Sequence, residues 1–307
     1  MVELFKTIDG KIQPVEEYQN DVWINMTAPT PDEINEVVSR TGVEEEFLLA
    51  ALDDEETSRI EAEDNQKLII IDIPMQQKEN DGVIYMTIPL GIILLEKSII
   101  TVCLKDSAII KELSDGFVKG VFTNLKTRFV FQLLYRVAVR YLQYLKQIDK
   151  LSNFVERQLH RSMKNKELIQ LLELEKSLVF FSTSLKADEM TLEKILRGRF
   201  IKLYDEDQEL LEDVLIEIKQ AIEMSNIYSS ILSGTMDAFA SVISNNLNIV
   251  MKVLTSITIL MAIPTMVASF YGMNVTGLPI PNFWIVLGIS AVITVICAIF
   301  LNKKGML

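Results

Sequence analysis

From Val253 to Asn302 the chain runs 50 residues without one Asp, Glu, Lys, Arg or His. No other feature restricts the possible folds as sharply. A short link with Gly, Pro and Asn, Tyr271–Asn282, divides the run into Val253–Phe270 and Phe283–Leu301. Each segment is about 18–19 residues, close to the roughly 20 a helix needs to cross a bilayer core at about 1.5 Å per residue. Hydrocarbon offers no water to stray backbone groups, so such segments cross as helices. The expectation is a two-helix transmembrane hairpin in the lipid bilayer, with spans at about 253–270 and 283–301. Lys252 precedes the first span, Lys303 and Lys304 follow the second, and the link has neither Lys nor Arg. By the positive-inside rule this predicts a multi-pass cell-membrane protein with both termini cytoplasmic and the link outside.

The first span carries a polar stripe. Asn248, Met251, Thr255, Thr258, Ala262, Thr265 and Ser269 recur at steps of three and four, one face of a helix. Two explanations stay open on spacing alone. Small and hydroxyl residues let transmembrane helices pack closely. The same stripe could instead be the wall of a water-filled pore, which a lone hairpin cannot enclose and which therefore needs an oligomer.

Upstream, 307 residues leave room for one or two domains beside the hairpin. The formal charge of −12 argues against a nucleic-acid partner, whose phosphates call for Lys and Arg. Cys103 and Cys297 form no CxxC pair and are expected to be buried bystanders. No apolar leader opens the chain, so no cleaved signal peptide is expected. Residues 1–110 read as an α/β domain. Val22–Met26 is a strand signal, and Thr30-Pro31-Asp32-Glu33 supplies an N-cap, a first-turn proline and a capping-box acid for a helix to about Arg40. Glu44–Leu52 suggests a second helix. Lys67–Ile73, Val83–Leu95 and Ser98–Leu104 read as strands, with a hairpin turn at Asn80-Asp81-Gly82 and with Pro74 and Pro89 at strand ends or edges. Residues 111–207 read as a helical layer containing an αα-hairpin, Thr127–Asn165 and Lys166–Gly198. Residues 208–270 read as one long stalk helix, roughly 90 Å, continuing into the first span, with Gly234 its weakest point. Overall the chain is predicted to be mostly α: an α/β cytosolic domain, then long helices, then the transmembrane hairpin. Residues 271–282 form the outer loop and 302–307 a basic cytosolic tail.

Tyr271-Gly272-Met273-Asn274 directly follows the first span and precedes the short loop, and Ser244–Thr255 leads into that span. These stretches resemble the signature and pore-helix approach of the CorA family of magnesium transporters. The two C-terminal spans, the trailing lysines and the acidic N-terminal part resemble it as well. The resemblance implies a passive, gated channel for Mg2+, assembled as a homopentamer and also able to take other divalent cations such as cobalt. It makes Gly272, Met273 and Asn274 the selectivity filter, with Asn274 meeting the hydrated ion. It lines the pore with Asn248, Met251, Leu254, Thr255, Thr258, Ala262, Thr265 and Ser269, Met251 and Leu254 being apolar constrictions. A capping role for Gly272 and Asn274 at the helix end remains the alternative. The chain departs from the family at Ala262, where a bulkier residue is usual, at Pro264, which is shifted by one, and in the loop, which lacks acids.

Two acidic clusters suit a hard cation such as Mg2+: Asp53-Asp54-Glu55-Glu56, and six carboxylates in Asp205–Asp213. The resemblance places a regulatory inter-subunit Mg2+ between Asp54 and Asp213, with Asp53 accessory. A solvated face and helix-dipole complementation would explain the same acids. Asp237 is expected to face solvent. His160, the only histidine, sits among Arg157, Arg161 and Lys164 and is expected at the surface. No phosphate-binding glycine loop and no nucleophile beside a base is present, so the reading is not an enzyme. Two rivals stay open: a zinc, cobalt or nickel transporter of the same fold, and a membrane-anchored metal sensor or scaffold without transport.

Overall fold

The structure is a computed structural model. It describes residues 1–306 except 64, 80–81, 119, 163–164, 199, 202 and 275–281, with only the backbone described at 78–79, 82, 161–162 and 198. The chain divides into two compact units, Met1–Ser233 and Gly234–Leu307.

The first unit is built on a seven-stranded sheet: β1 Val2–Ile8, β2 Lys11–Pro14, β3 Val22–Thr27, β4 Arg59–Glu63, β5 Gln66–Glu79, β6 Gly82–Leu94 and β7 Ser98–Cys103. The strand order is β2-β1-β3-β7-β6-β5-β4, and β3 with β7 is the parallel pair. Side chains alternate across a sheet, and here both faces are covered, so Val22, Trp23, Ile24 and Ile69–Ile71 are all buried. One face packs on α1 (Pro31–Thr41) and α2 (Glu45–Ala50) through Ile24, Met26, Val37, Leu48, Ile70 and Ile100. The other carries Trp23, whose ring lies 5.0 Å from Phe5 and 5.1 Å from Phe129 on α4 (Lys126–Ser162). Its buried indole Nε1–H donates to Thr101 Oγ1 at 2.8 Å, and Thr101 in turn donates to Asn25 Oδ1 at 3.0 Å. The short α3 (Ala108–Ser114) precedes α4. α5 (Asn165–Gly198) packs with α4 over β5 and β6, where Tyr141 and Phe181 meet edge to face at 5.1 Å.

The α1 start forms as its sequence dictates. Thr30 Oγ1 accepts from the Glu33 N–H at 3.3 Å, while Glu33 Oε2 accepts from the Thr30 N–H at 2.8 Å. Gly42 then closes the helix in the left-handed conformation, φ 71°.

Of the two places expected for Pro74 and Pro89, strand ends or edges, the structure has the edges. Neither ends a strand: Pro74 pairs with Thr87 and Pro89 with Asp72, both inside the β5–β6 ribbon. The ribbon tolerates them because its neighbours stop short, β4 pairing no further than Ile70 and β7 no further than Leu90. The amide of Asp72 donates outward to Asp188, and that of Tyr85 outward to Ser177. Pro74 and Pro89 share their parity, so each missing N–H lies on the side where no strand needs it. Three strands, β1, β2 and β4, were not expected at all. The hairpin turn falls on residues 80–81, outside the described residues.

The long helix α6, Asp205–Tyr271, starts three residues earlier than expected and runs through Gly234 and Pro264 without a break. Its N-terminal part lies in the first unit, where Leu211, Val214 and Ile218 are buried. Its remainder and α7 (Phe283–Lys303) make the second unit. Cys103 is buried in β7 as expected, whereas Cys297 on α7 is only half-buried.

Candidate functional site

The second unit is short of burial. In the most apolar window of α6 6% of residues are buried, and in that of α7 11%, so neither is the core helix of a water-soluble fold. Ser256 and Ser290 are buried, and Ser256 Oγ lies 2.9 Å from the carbonyl of Met306, just past the end of α7. At the α7 start Asn282 caps the helix by accepting from the Trp284 N–H at 3.1 Å, and Trp284 is 75% exposed. An exposed indole at the end of an apolar helix suits a membrane–water boundary.

The stripe foreseen on α6 lies on one exposed face. Asn248, Met251, Leu254, Thr255, Thr258, Ala262, Thr265 and Ser269 are all exposed, and a shallow groove joins Thr258, Ala262, Thr265 and Ser269 to Met273. Two hydroxyls spend their protons within the helix. Thr258 donates to the Leu254 carbonyl at 2.9 Å and Thr265 to the Met261 carbonyl at 3.2 Å. Their oxygens therefore turn lone pairs outward, which a hydrated cation can use because its waters donate. Pro264 supplies no N–H, so the Leu260 carbonyl loses its helical partner beside this groove.

At the end of α6 the Gly272 N–H donates to the Ala268 carbonyl at 2.9 Å, and the Met273 N–H to that of Phe270 at 3.4 Å. Gly272 does not adopt the left-handed conformation of a glycine cap, so the capping alternative loses its main support. A Cβ there would meet Ala268 O at 3.4 Å and Ser269 O at 3.7 Å, ordinary contact. Among the described residues nothing demands glycine at this position. Gly272, Met273 and Asn274 are all exposed. The rest of the expected loop, 275–281, lies outside the described residues.

The acidic clusters are both in the first unit. Asp53 and Asp54 occupy the turn after α2, where Asp53 Oδ1 accepts from the Glu55 N–H at 3.0 Å. Glu56 is taken by Arg59. Asp213 stands exposed on α6, and Glu206 near the helix start pairs with Arg128 at 2.6 Å. Among the described residues no group of three or more acids, His or Cys comes together within one chain. His160 and Asp237 are exposed. Sequence reasoning passed over one further feature, an acid pair, half-buried Asp72 on β5 and buried Asp188 on α5. Its signals were a lone acid among isoleucines, Ile70-Ile71-Asp72-Ile73, and an acid on the apolar spacing Phe181, Leu185, Asp188, Leu192.

An α/β unit joined to long helices, with two exposed apolar helices carrying an outward polar stripe, defines a membrane protein with transmembrane helices and a large extramembranous part. The chain belongs to the CorA-like Mg2+ transporter family, whose model matches residues 19–304. It is 28% identical over 297 residues to the cobalt/magnesium transport protein CorA of Methanocaldococcus jannaschii, covering 92% of this chain and 90% of that protein. The counterpart from Thermotoga maritima is 22% identical over 314 residues, covering 98% and 88%. The solved complete CorA magnesium transporter of M. jannaschii superposes with a TM-score of 0.85 at 26% identity, over 100% of this chain and 99% of that one.

Proposed function

We propose that the chain is one subunit of a passive, gated channel that imports hydrated Mg2+ through a pore on the symmetry axis of a homopentamer. The observation that carries this reading is Gly272. Its backbone conformation and its surroundings within the chain would accept a side chain. A glycine there is then accounted for by what approaches from outside: neighbouring copies and an ion with its water shell. Asn274 offers an amide oxygen to that shell. Mg2+ dehydrates reluctantly, so a ring of amide and carbonyl oxygens selects it by bonding its waters, and the absence of fixed carboxylates lets it leave again. Met273 completes the filter.

Below the filter, Ser269, Thr265, Thr258 and Thr255 carry the hydrated ion along the stripe, and Ala262 leaves the middle of the pore wide. Met251 and Leu254 form the apolar constriction that dewets to close, and Asn248 forms a second polar ring at the inner mouth. Both termini lie in the cytoplasm, where Lys252, Lys303 and Lys304 meet the inner leaflet. Entry is driven by the membrane potential, roughly 2.3 kcal/mol per charge per 100 mV. Mg2+ feedback acts through Asp54 of one subunit, Asp213 of the next and Asp53 beside them. Metal-free carboxylates repel and loosen the interface, and bound metal bridges them. Cobalt is a second cargo, supported by the names of both curated relatives.

The test pairs two measurements on the full chain. Mass determination of the purified detergent particle is expected to give a pentamer. Gly272→Ala is expected to leave assembly and thermal stability unchanged while abolishing Mg2+ uptake. Normal uptake by that variant, or a monomeric particle, contradicts the reading.

A further inference from the structure

Buried Asp188 and half-buried Asp72 lie in the first unit, and their surroundings define what they bind. Asp188 is 1% exposed. Its Oδ1 accepts from the Ser58 hydroxyl at 2.7 Å and from the Asp72 N–H at 2.9 Å. Its Oδ2 is buried without a hydrogen-bond partner among the described residues. One side chain thus ties α5 to β5 and to the segment before β4. From α4, the Tyr141 hydroxyl donates to the Asp72 carbonyl at 3.0 Å.

The positive groups on the surrounding elements are engaged elsewhere. Arg59, beside Ser58, pairs with Glu56 and Glu61, and Lys219 of α6 pairs with Glu189 and Glu193. Lys186 of α5 is exposed. The other titratable group facing the pair, Tyr141, brings no positive charge. Asp72 is half-buried, but an ionised Asp188 here would be neither solvated nor neutralised. Among the described residues no third acid, His or Cys joins them, and Asp188 Oδ1 already accepts two hydrogen bonds, which leaves one free carboxylate oxygen on that side chain. A proton needs no room.

We propose that Asp72 and Asp188 form a proton-binding site that keeps one proton at neutral pH and locks α5 onto the β5–β6 ribbon, releasing it as the surrounding pH rises. Burial first, then the charge of Asp72, pushes Asp188 well above the usual carboxylate range, and burial raises Asp72 as well. The pair titrates as a unit. A carboxyl whose pKa is raised by folding stabilises the fold fully below its unfolded pKa. That contribution is lost as pH climbs through the folded value. Alkaline conditions therefore loosen α5.

Hydrogen exchange by mass spectrometry on the full chain in detergent tests this, read on α5 peptides from pH 6 to 10 and corrected for intrinsic exchange. In the wild type, protection of α5 is expected to fall with pH by up to about tenfold per unit, the slope of one proton, until the folded titration is passed, and to level off above it. Asp188→Asn keeps the volume and the Oδ1 acceptor and replaces the bound proton by a permanent N–H. It is expected to be at least as protected at pH 7 and flat in pH. Asp72→Asn is expected to shift the levelling-off to lower pH, because the repulsion that retained the proton is gone. A flat wild-type profile, an Asp188→Asn variant that is unfolded or less protected throughout, or an unmoved levelling-off in Asp72→Asn overturns the proposal. So does α5 protection that EDTA removes and Mg2+ restores only when Asp188 is present, which would make the occupant a metal.

Discussion

Gly91→Ala probes the packing that positions the first acidic turn. Gly91 lies in β6 opposite Val102 of β7 and beneath the last residues of α2. A Cβ placed there would come within 2.4 Å of the Ala51 Cβ and 3.7 Å of its Cα. Neither atom belongs to a flexible side chain, so helix or strand must move. Overpacking of this kind costs about 1–3 kcal/mol. In a unit of this size each kcal/mol lowers the melting temperature by roughly 2–4 °C, so a fall of about 2–12 °C is expected by calorimetry or differential scanning fluorimetry. Ala51 is followed two residues later by Asp53, so the same shift displaces the Asp53–Asp54 turn. Protection by Mg2+ against heat is then expected to weaken beyond the loss of stability itself. Ala51→Gly removes the obstructing methyl, and the double variant is expected to recover most of the loss, a coupling of about 1 kcal/mol or more. An unchanged melting temperature in Gly91→Ala, or a double variant whose losses simply add, would refute the reasoning.

Thr101→Val removes the acceptor of the buried Trp23 N–H and the donor to Asn25, and is expected to cost about 1–3 kcal/mol in equilibrium urea unfolding. A cost under half the lower figure would mean that the indole finds another partner. Thr30→Ala removes one half of the α1 capping box and is expected to cost about 1 kcal/mol in the same assay. Millimolar Mg2+ is expected to make the wild type resistant to limited proteolysis, and Asp54→Asn and Asp213→Asn are each expected to abolish that resistance while leaving metal-free stability unchanged or higher. Retained resistance in both variants would remove these acids from Mg2+ sensing.

The features legible in the sequence are those with a local physical cause. The charge-free run announces its helices whatever they pack against, and the Thr30–Glu33 capping box closes between near neighbours. The strands β3, β5, β6 and β7 show because burial on both faces leaves nearly continuous apolar runs. The edges did not show. β4 reads Arg59-Ile60-Glu61-Ala62-Glu63, a mostly polar stretch that becomes a strand only because β5 offers it an edge. β1 and β2 depend likewise on a partner, β3, that the local pattern does not reveal. Pro74 and Pro89 were assigned to strand ends or edges by a rule about hydrogen bonding. The rule holds, but which neighbour stops where is a property of the whole sheet. Asp188 was hidden for a similar reason, since an acid on a helix reads as solvent-facing until its opposite surface is known. At the site, the stripe and its spacing were legible. That Gly272 is not left-handed was not, because glycine at a helix end usually is.

Magnesium flux into proteoliposomes, comparing wild type with Asn274→Ala at matched protein levels, bears most directly on the central claim. The account predicts uptake by the wild type at low internal Mg2+ under an inward-driving potential, poor competition by zinc, and loss of uptake in the variant. A correctly inserted oligomer that passes no Mg2+ under these conditions, or a variant that conducts like the wild type, would contradict it.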